Sequence, residues 1–188
     1  MPFTARQVRD ATDILDPLLR LHALYSRLPG MAFGVSHAGA TVLLGAHGLA
    51  DVESAVPVDA SATTFRCASI TKTVTATLIV QLAERGRLRL DDPVVSLLAW
   101  TRGTLGPDVT VRHLLMHSGG VIRDGSNAWF DVDMPDRVTL RRELRGSATF
   151  AEPSERFRYS NIAYSLLGEI AETVTGRSFE SLVRANVA

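Results

Sequence analysis

The chain has 188 residues, 46% hydrophobic and 21% charged, which suffices to bury about two-thirds of its unfolded surface in a genuine core. Lys plus Arg number 20 and Asp plus Glu number 20, so net charge gives no reason to expect nucleic acid or an anionic membrane as partner. The single cysteine, Cys67, excludes an internal disulfide and a thiolate metal cluster, and reads as a small buried residue. The first residues are polar and carry both charge signs where a signal peptide has its apolar stretch, and no run reaches membrane-spanning length. As written the chain reads as soluble: cytoplasmic, or the mature form of an exported protein.

Residues 5–28 form an amphipathic pattern, with Val8, Ala11, Leu15, Leu18, Leu19 and His22 on one stripe and Pro29-Gly30 as the stop. Residues 31–50 read as a hairpin around the turn Ala38-Gly39-Ala40, with Gly34 and Gly45 marking close backbone approach. The second run is almost wholly apolar, which suits a central strand. Residues 51–62 read as a connection.

From Thr63 the chain enters an extended lead and then a helix beginning near Ser69 and stopped by Gly86, with Ala68, Val74, Leu78, Leu82 and Ala83 at helical spacing. Within it lies Ser69-Ile70-Thr71-Lys72. Residues three apart share a helix face, so the hydroxyl and the amine stand one turn from each other. Lys72 is the only lysine; every other base is Arg. Arg cannot give up its proton in a protein, whereas a lysine can when burial or a helix N-terminus disfavours its charge. That pairing activates a serine without histidine. Taken alone, Ser69 also fits an N-cap and Lys72 a solvated lysine.

Asp92-Pro93 signals a short helix over 93–98, and Thr110 caps another that ends at Ser118-Gly119-Gly120. His113 and His117 have two-ligand zinc spacing, but no glutamate lies between them, so the spacing is a poor metal motif. Residues 121–135 read as a loop over a cleft, with Trp129 and Phe130 as apolar contacts; Asp131 and Asp133 do not match a calcium loop. A charged helix follows at 136–145 and an extended segment at 149–158. Tyr159-Ser160-Asn161 opens a helix with Ile162, Leu166, Leu167, Ile170 and Val174 on its apolar face and Gly176 at its end. Tyr159 and Asn161 fit either residues of a shared cleft or a buried tyrosine and an ordinary cap. A last helix starts after Ser178, with no C-cap in view before Ala188.

Taken together, PGMAFGV at 29–35, GLAD at 48–51, FRCASITK at 65–72, LAERGRLRLDDPV at 82–94, VTVRHLLMHSGG at 109–120 and YSNIAYSLLGEIAETVTGRSFESLV at 159–183 resemble the serine beta-lactamase and penicillin-binding superfamily. The resemblance is to the class C-like branch with a tyrosine motif. It implies an α+β fold, an antiparallel sheet packed with helices plus a helical subdomain. Residues 1–62 would carry the first helix and two strands, and 63–188 the mostly helical part with the motifs. It implies Ser69 as acylated nucleophile, Lys72 as its partner, Tyr159 as general base and proton relay, and Asn161 as the contact to the substrate amide. His117, Ser118 and Gly119 match a structural turn. Ser154 stands where the family usually has glycine. No cofactor and no metal are implied, and the substrate would be a small or peptide-like acyl compound.

The family's third motif, a Lys-Thr-Gly or His-x-Gly strand, does not follow Asn161. The sequence therefore reads as the N-terminal half of the fold, with the remaining strands coming from the rest of the polypeptide or from a C-terminal half chain. Within the expected serine hydrolases, an esterase or beta-lactamase and a DD-peptidase or D-aminopeptidase stand side by side. The reading from another class is a catalytically silent fragment or binding subunit.

Overall fold

A computed structural model describes residues 3–125, 136–145, 149 and 151–187. The chain divides into two compact units, Met1–Arg66 and Cys67–Ala188.

The first unit holds one helix and a small sheet. Helix α1 (Ala5–Tyr25) begins in a capping box, where the Thr4 hydroxyl accepts from Gln7 N–H and the Gln7 side chain reaches back to Thr4. It ends three residues before Leu28, sooner than the sequence pattern suggests. Arg27 turns left-handed (φ +51°) and Leu28 N–H bonds to the Ala23 carbonyl, which closes the last turn. Its buried positions are Thr12 and Ala23, with Val8, Leu15 and Leu19 half-buried. Ala11, Leu18 and His22, expected on the inner stripe, are exposed: the inner face runs instead through Val8, Thr12, Leu15, Leu19 and Ala23, spaced three or four residues apart.

Strands β1 (Gly30–His37) and β2 (Ala40–Asp51) pair antiparallel. The two-residue turn has φ +49° at Ala38 and +79° at Gly39, the left-handed pair that a twist-matched hairpin requires. At Gly45 an added Cβ would lie 2.5 Å from the Phe33 ring, so the missing side chain is what lets that ring cross β2; Gly34 shows no such crowding. The sheet order is β1-β2-β3, with β2 central. Strand β3 (Val56–Pro57) lies inside the stretch expected to be a plain connection. It is two residues long and pairs only with the end of β2, too short to leave a periodic signal. His47 lies 3.0 Å from Asp16 of α1 and 5.4 Å from the Phe33 ring centroid.

The second unit is helical around one continuous core. A one-turn 3-10 helix (Ala68–Ile70) runs into α2 (Thr71–Glu84). The buried face of α2 is Thr75, Leu78, Ile79 and Leu82. Ala68 and Cys67 are exposed rather than buried, because the 3-10 turn precedes the packed part of the helix and buries none of its residues. Helix α3 (Val94–Leu97) is one turn long. The Asp92 carboxylate does not cap it; it accepts from Arg89 N–H, closing the turn before it, while Val94 N–H bonds to the Val109 carbonyl. Helix α4 (Val111–Leu115) is capped by Thr110, with His113 Nδ1 taking the Thr110 N–H in the reciprocal bond.

Helix α5 (Arg137–Leu144) is capped by Asp136. Helix α6 (Asn161–Thr175) is capped by Ser160 and ends at Gly176 (φ +71°). Helix α7 (Phe179–Asn186) starts at Ser178 and ends inside the chain at a Val187 cap, its terminus held by Gln81 Nε2 and Arg85 Nη1 on Asn186. The core joins Leu78, Ile79 and Leu82 of α2 to Leu114 of α4 and to Ile162, Leu166, Leu167 and Ile170 of α6. Glu169 of α6 is buried at 8% exposure and held by Trp100 Nε1 (3.1 Å) and Arg141 Nη2 (2.8 Å) on one oxygen.

Among the described residues no helix is long and apolar enough to cross a membrane. Nor does any group of three His, Cys, Asp or Glu side chains converge as metal ligands. His113 and His117 do not share a helix face, because α4 ends at Leu115 and His117 leaves it with φ +56°. The expected apolar contacts Trp129 and Phe130, and the pair Asp131 and Asp133, lie outside the described residues.

Candidate active site

Ser69 sits in the 3-10 turn, directly after Ala68, whose φ of +44° bends the incoming chain. That conformation costs an L-residue about 1–2 kcal/mol. Lys72, one turn on, donates from Nζ to Ser69 Oγ at 3.4 Å and to Asn161 Oδ1 at 2.6 Å. From the other side, Tyr159 brings its hydroxyl to 2.5 Å from Ser69 Oγ. Lys72 Nζ also stands 4.7 Å from the centroid of the Tyr159 ring. The four residues singled out from the sequence thus form one connected cluster, built from the start of α2 and the start of α6.

A second layer holds the first. Asn161 Nδ2 donates to Asp124 Oδ1 at 2.6 Å. The orientation of that carboxamide is fixed from both ends: an ammonium can only donate and a carboxylate only accept, so the oxygen faces Lys72 and the nitrogen faces Asp124. Asn161 N–H bonds to the Arg123 carbonyl, which ties the loop after α4 to the N-terminus of α6. Arg123 lies beside Asp124 (3.2 Å) and 5.9 Å from the Tyr159 ring centroid. Gly120, at φ +63°, lets this loop pass Ala151: a Cβ there would lie 1.9 Å from the Ala151 carbonyl oxygen.

Burial works to raise the Tyr159 pKa. Hydrogen bonds from Lys72 and Ser69 and the charges of Lys72 and Arg123 work against it, and the net direction is below the ordinary tyrosine value. Tyr164 moves the opposite way, raised by burial and then by Tyr159. Of two phenols in one cluster, Tyr159 is therefore the one that ionises first. Beside the cluster, Lys72 and Asn161 also line a cavity of about 750 Å³, bordered by Thr75, Tyr164, Arg137 and Glu172.

Asp124 and Arg123 had no sequence signal. They fall in a loop without periodicity, and a carboxylate that orients another residue's amide leaves no spacing to read.

Residues 14–188 match the family model described as Beta-lactamase. The chain belongs to the beta-lactamase family. A curated relative, Esterase EstB from Burkholderia gladioli, is 33% identical over 86% of this chain and 45% of its own length. The Staphylococcus aureus Protein flp is 28% identical over 95% of this chain and 36% of its own. Among solved structures, the octameric penicillin-binding protein homologue from Pyrococcus abyssi superposes with TM-score 0.80 at 30% identity, covering 94% of this chain and 42% of that one. The D-alanine carboxypeptidase AmpC from Burkholderia cenocepacia gives TM-score 0.74 at 28% identity, covering 98% of this chain and 48% of that one. The fold is thus the α+β beta-lactamase and transpeptidase fold, and this beta-lactamase family chain spans about half the length of those two structures or less.

Proposed function

We propose that the chain carries the acylating centre of a serine hydrolase acting on an ester, lactam or amide. The observation that supports this most is the position of Ser69 Oγ, 2.5 Å from the Tyr159 hydroxyl and 3.4 Å from Lys72 Nζ. Ser69 is the nucleophile. Its proton passes to the ionised Tyr159 oxygen as Oγ forms a bond to the substrate carbonyl carbon. The tetrahedral oxyanion collapses, the leaving group departs with a proton from Tyr159, and an acyl-serine remains. Water then attacks that ester and regenerates the hydroxyl. The backbone N–H of Ser69 is one oxyanion donor. Asn161 anchors the substrate amide and holds Lys72. The Lys72 amine beside the phenol, 4.7 Å from its ring centroid, favours the ionised form of Tyr159 as the base.

We place an esterase or beta-lactamase activity first, with a DD-peptidase or D-aminopeptidase second, since an esterase and a D-alanine carboxypeptidase both stand among the relatives. Turnover needs a further segment that contributes the second oxyanion donor and more strands, from the same polypeptide or from a partner chain. Two features favour this: the chain spans 45% of the esterase, and Ile14, Leu18 and Leu21 are exposed along one face of α1.

Intact mass of the natural polypeptide, before and after a penicillin or an activated ester, tests the reading. An acyl adduct that maps to Ser69 and is absent in Ser69→Ala is expected, and its lifetime separates a hydrolase from a penicillin-binding protein. No adduct with either probe favours a silent binding subunit.

A further inference from the structure

His117 touches neither Ser69 nor Lys72 through a hydrogen bond, yet it holds Tyr159 from three directions. Its backbone carbonyl accepts the N–H of Arg158 at 2.8 Å, and its ring Nδ1 accepts the N–H of Ser160 at 3.1 Å. Those are the two residues that flank Tyr159. Its imidazole also lies against the phenol, with ring centroids 4.7 Å apart and planes at 37°. A turn that only ended α4 would need none of these bonds. His117 makes both bonds from a left-handed backbone (φ +56°).

We propose that His117 is a positioning residue for Tyr159, and that it does this work only as the neutral imidazole with its proton on Nε2. The proposal rests on the catalytic reading of Tyr159 given above. The chemistry is direct: Nδ1 receives an amide proton, so it must present a lone pair. Protonation would set one N–H against another, and the Ser160 bond would be lost. The groups facing the ring are Lys72 of α2, Tyr159 before α6 and Tyr164 of α6, with the edge of Phe157 at 5.8 Å. Burial opposes a positive charge on the ring, and the charge of Lys72 opposes it further; both lower its pKa from the ordinary histidine value.

Replacement of the acceptor while keeping a ring, His117→Phe, should lower the acylation rate about 10- to 100-fold, the scale of a small misplacement of a reacting group. His117→Asn should recover most of that loss, because the Asn oxygen can stand where Nδ1 stands and Asn tolerates the left-handed backbone. The wild-type rate should fall on the acid side with a midpoint below 6.5, a limb that His117→Asn lacks. In the unaltered protein, nitrogen-15 shifts should give the Nε2–H tautomer at neutral pH, a readout independent of whether any variant folds.

The Nδ1–H tautomer, a His117→Phe variant as fast as wild type, or a separate limb with its midpoint below 6.5 that persists in His117→Asn would overturn the proposal. Tyr159→Phe serves as the reference. If it keeps full activity, the catalytic reading of Tyr159 is what has failed.

Discussion

Ser69 Oγ and Tyr159 OH stand 2.5 Å apart although 90 residues separate them in the chain. The contact closes a loop between the start of α2 and the start of α6, and the hydroxyl proposed as nucleophile lies inside that closure. Either oxygen can donate, so the proton can rest on either residue. Replacing Tyr159 with Phe removes the acceptor without emptying the space. Acylation by an activated ester should fall about 10²- to 10⁴-fold, the usual range for a lost general base, with little change in KM. Stopped-flow release of the leaving group measures it.

The depressed Tyr159 pKa has a pH consequence. Burial raises it, and the bonds and charges of Lys72, Ser69 and Arg123 bring it below 10, so the acylation rate should rise with pH through a midpoint under 10. In Arg123→Ala that midpoint should move upward, since one of the two lowering charges is gone. The stability sign is separate. A lowered acid pKa contributes stability that is fully present only above the unfolded value and lost as pH falls through the folded one. Any ionisation-linked stability from this tyrosine is therefore lost as the solution is acidified through its folded-state pKa. Rate profiles of the two proteins decide it.

Asp124 should act through Asn161. Asp124→Asn frees the carboxamide to turn its nitrogen toward Lys72, and Asp124→Ala removes the acceptor. Each should slow acylation, but neither should slow an Asn161→Ala protein further. A double-mutant cycle on the acylation rate should therefore show strong non-additivity. Additive losses would mean that Asp124 acts on some other group.

His117 should make stability depend on pH. Burial and Lys72 lower its pKa, so its contribution is fully present above about 6.5, its unfolded value, and is lost as pH falls through the folded one. Between wild type and His117→Asn, the difference in denaturation midpoint should therefore shift in favour of Asn as the solution is acidified. Denaturant melts at several pH values provide the comparison.

Ser154 occupies a left-handed backbone position, φ +66°, and its hydroxyl bonds to His113 Nε2 at 3.1 Å. Ser154→Ala keeps the strain and loses the bond, which should cost about 1 kcal/mol. Ser154→Gly loses the same bond but relieves the backbone, so it should be more stable than the alanine variant by about 1–2 kcal/mol. The midpoint difference between the two variants isolates the backbone contribution.

Local signals were legible wherever the chemistry is short-range. Ser69 and Lys72 are three residues apart, so helical geometry alone put them side by side. The cap at Thr110, the start of a helix after Ser178, the stop at Gly176 and the turn at Ala38-Gly39 each depend on a few neighbouring residues and could be read, whereas Ser160 and Asn161 were equal candidates for the cap that Ser160 provides. The resemblance extended this reading to Tyr159 and Asn161, which local rules leave open between a cleft and an ordinary cap. The glycine expected at Ser154 pointed to a backbone position, and the left-handed φ there gives the reason.

Tertiary structure decided what depends on distant partners. The Asp124–Asn161 bond, the grip of His117 on both neighbours of Tyr159, and the burial of Glu169 against Trp100 and Arg141 join segments far apart in sequence. Thr75 proved buried because helical period gives a face but only the packed neighbours decide which face is covered, and Cys67 proved exposed because the 3-10 turn it precedes packs none of its residues. A sequence fixes the periods, caps and turns that a few bonded residues determine. Which oxygen meets which amine is set by long-range closure, and that belongs to the folded chain.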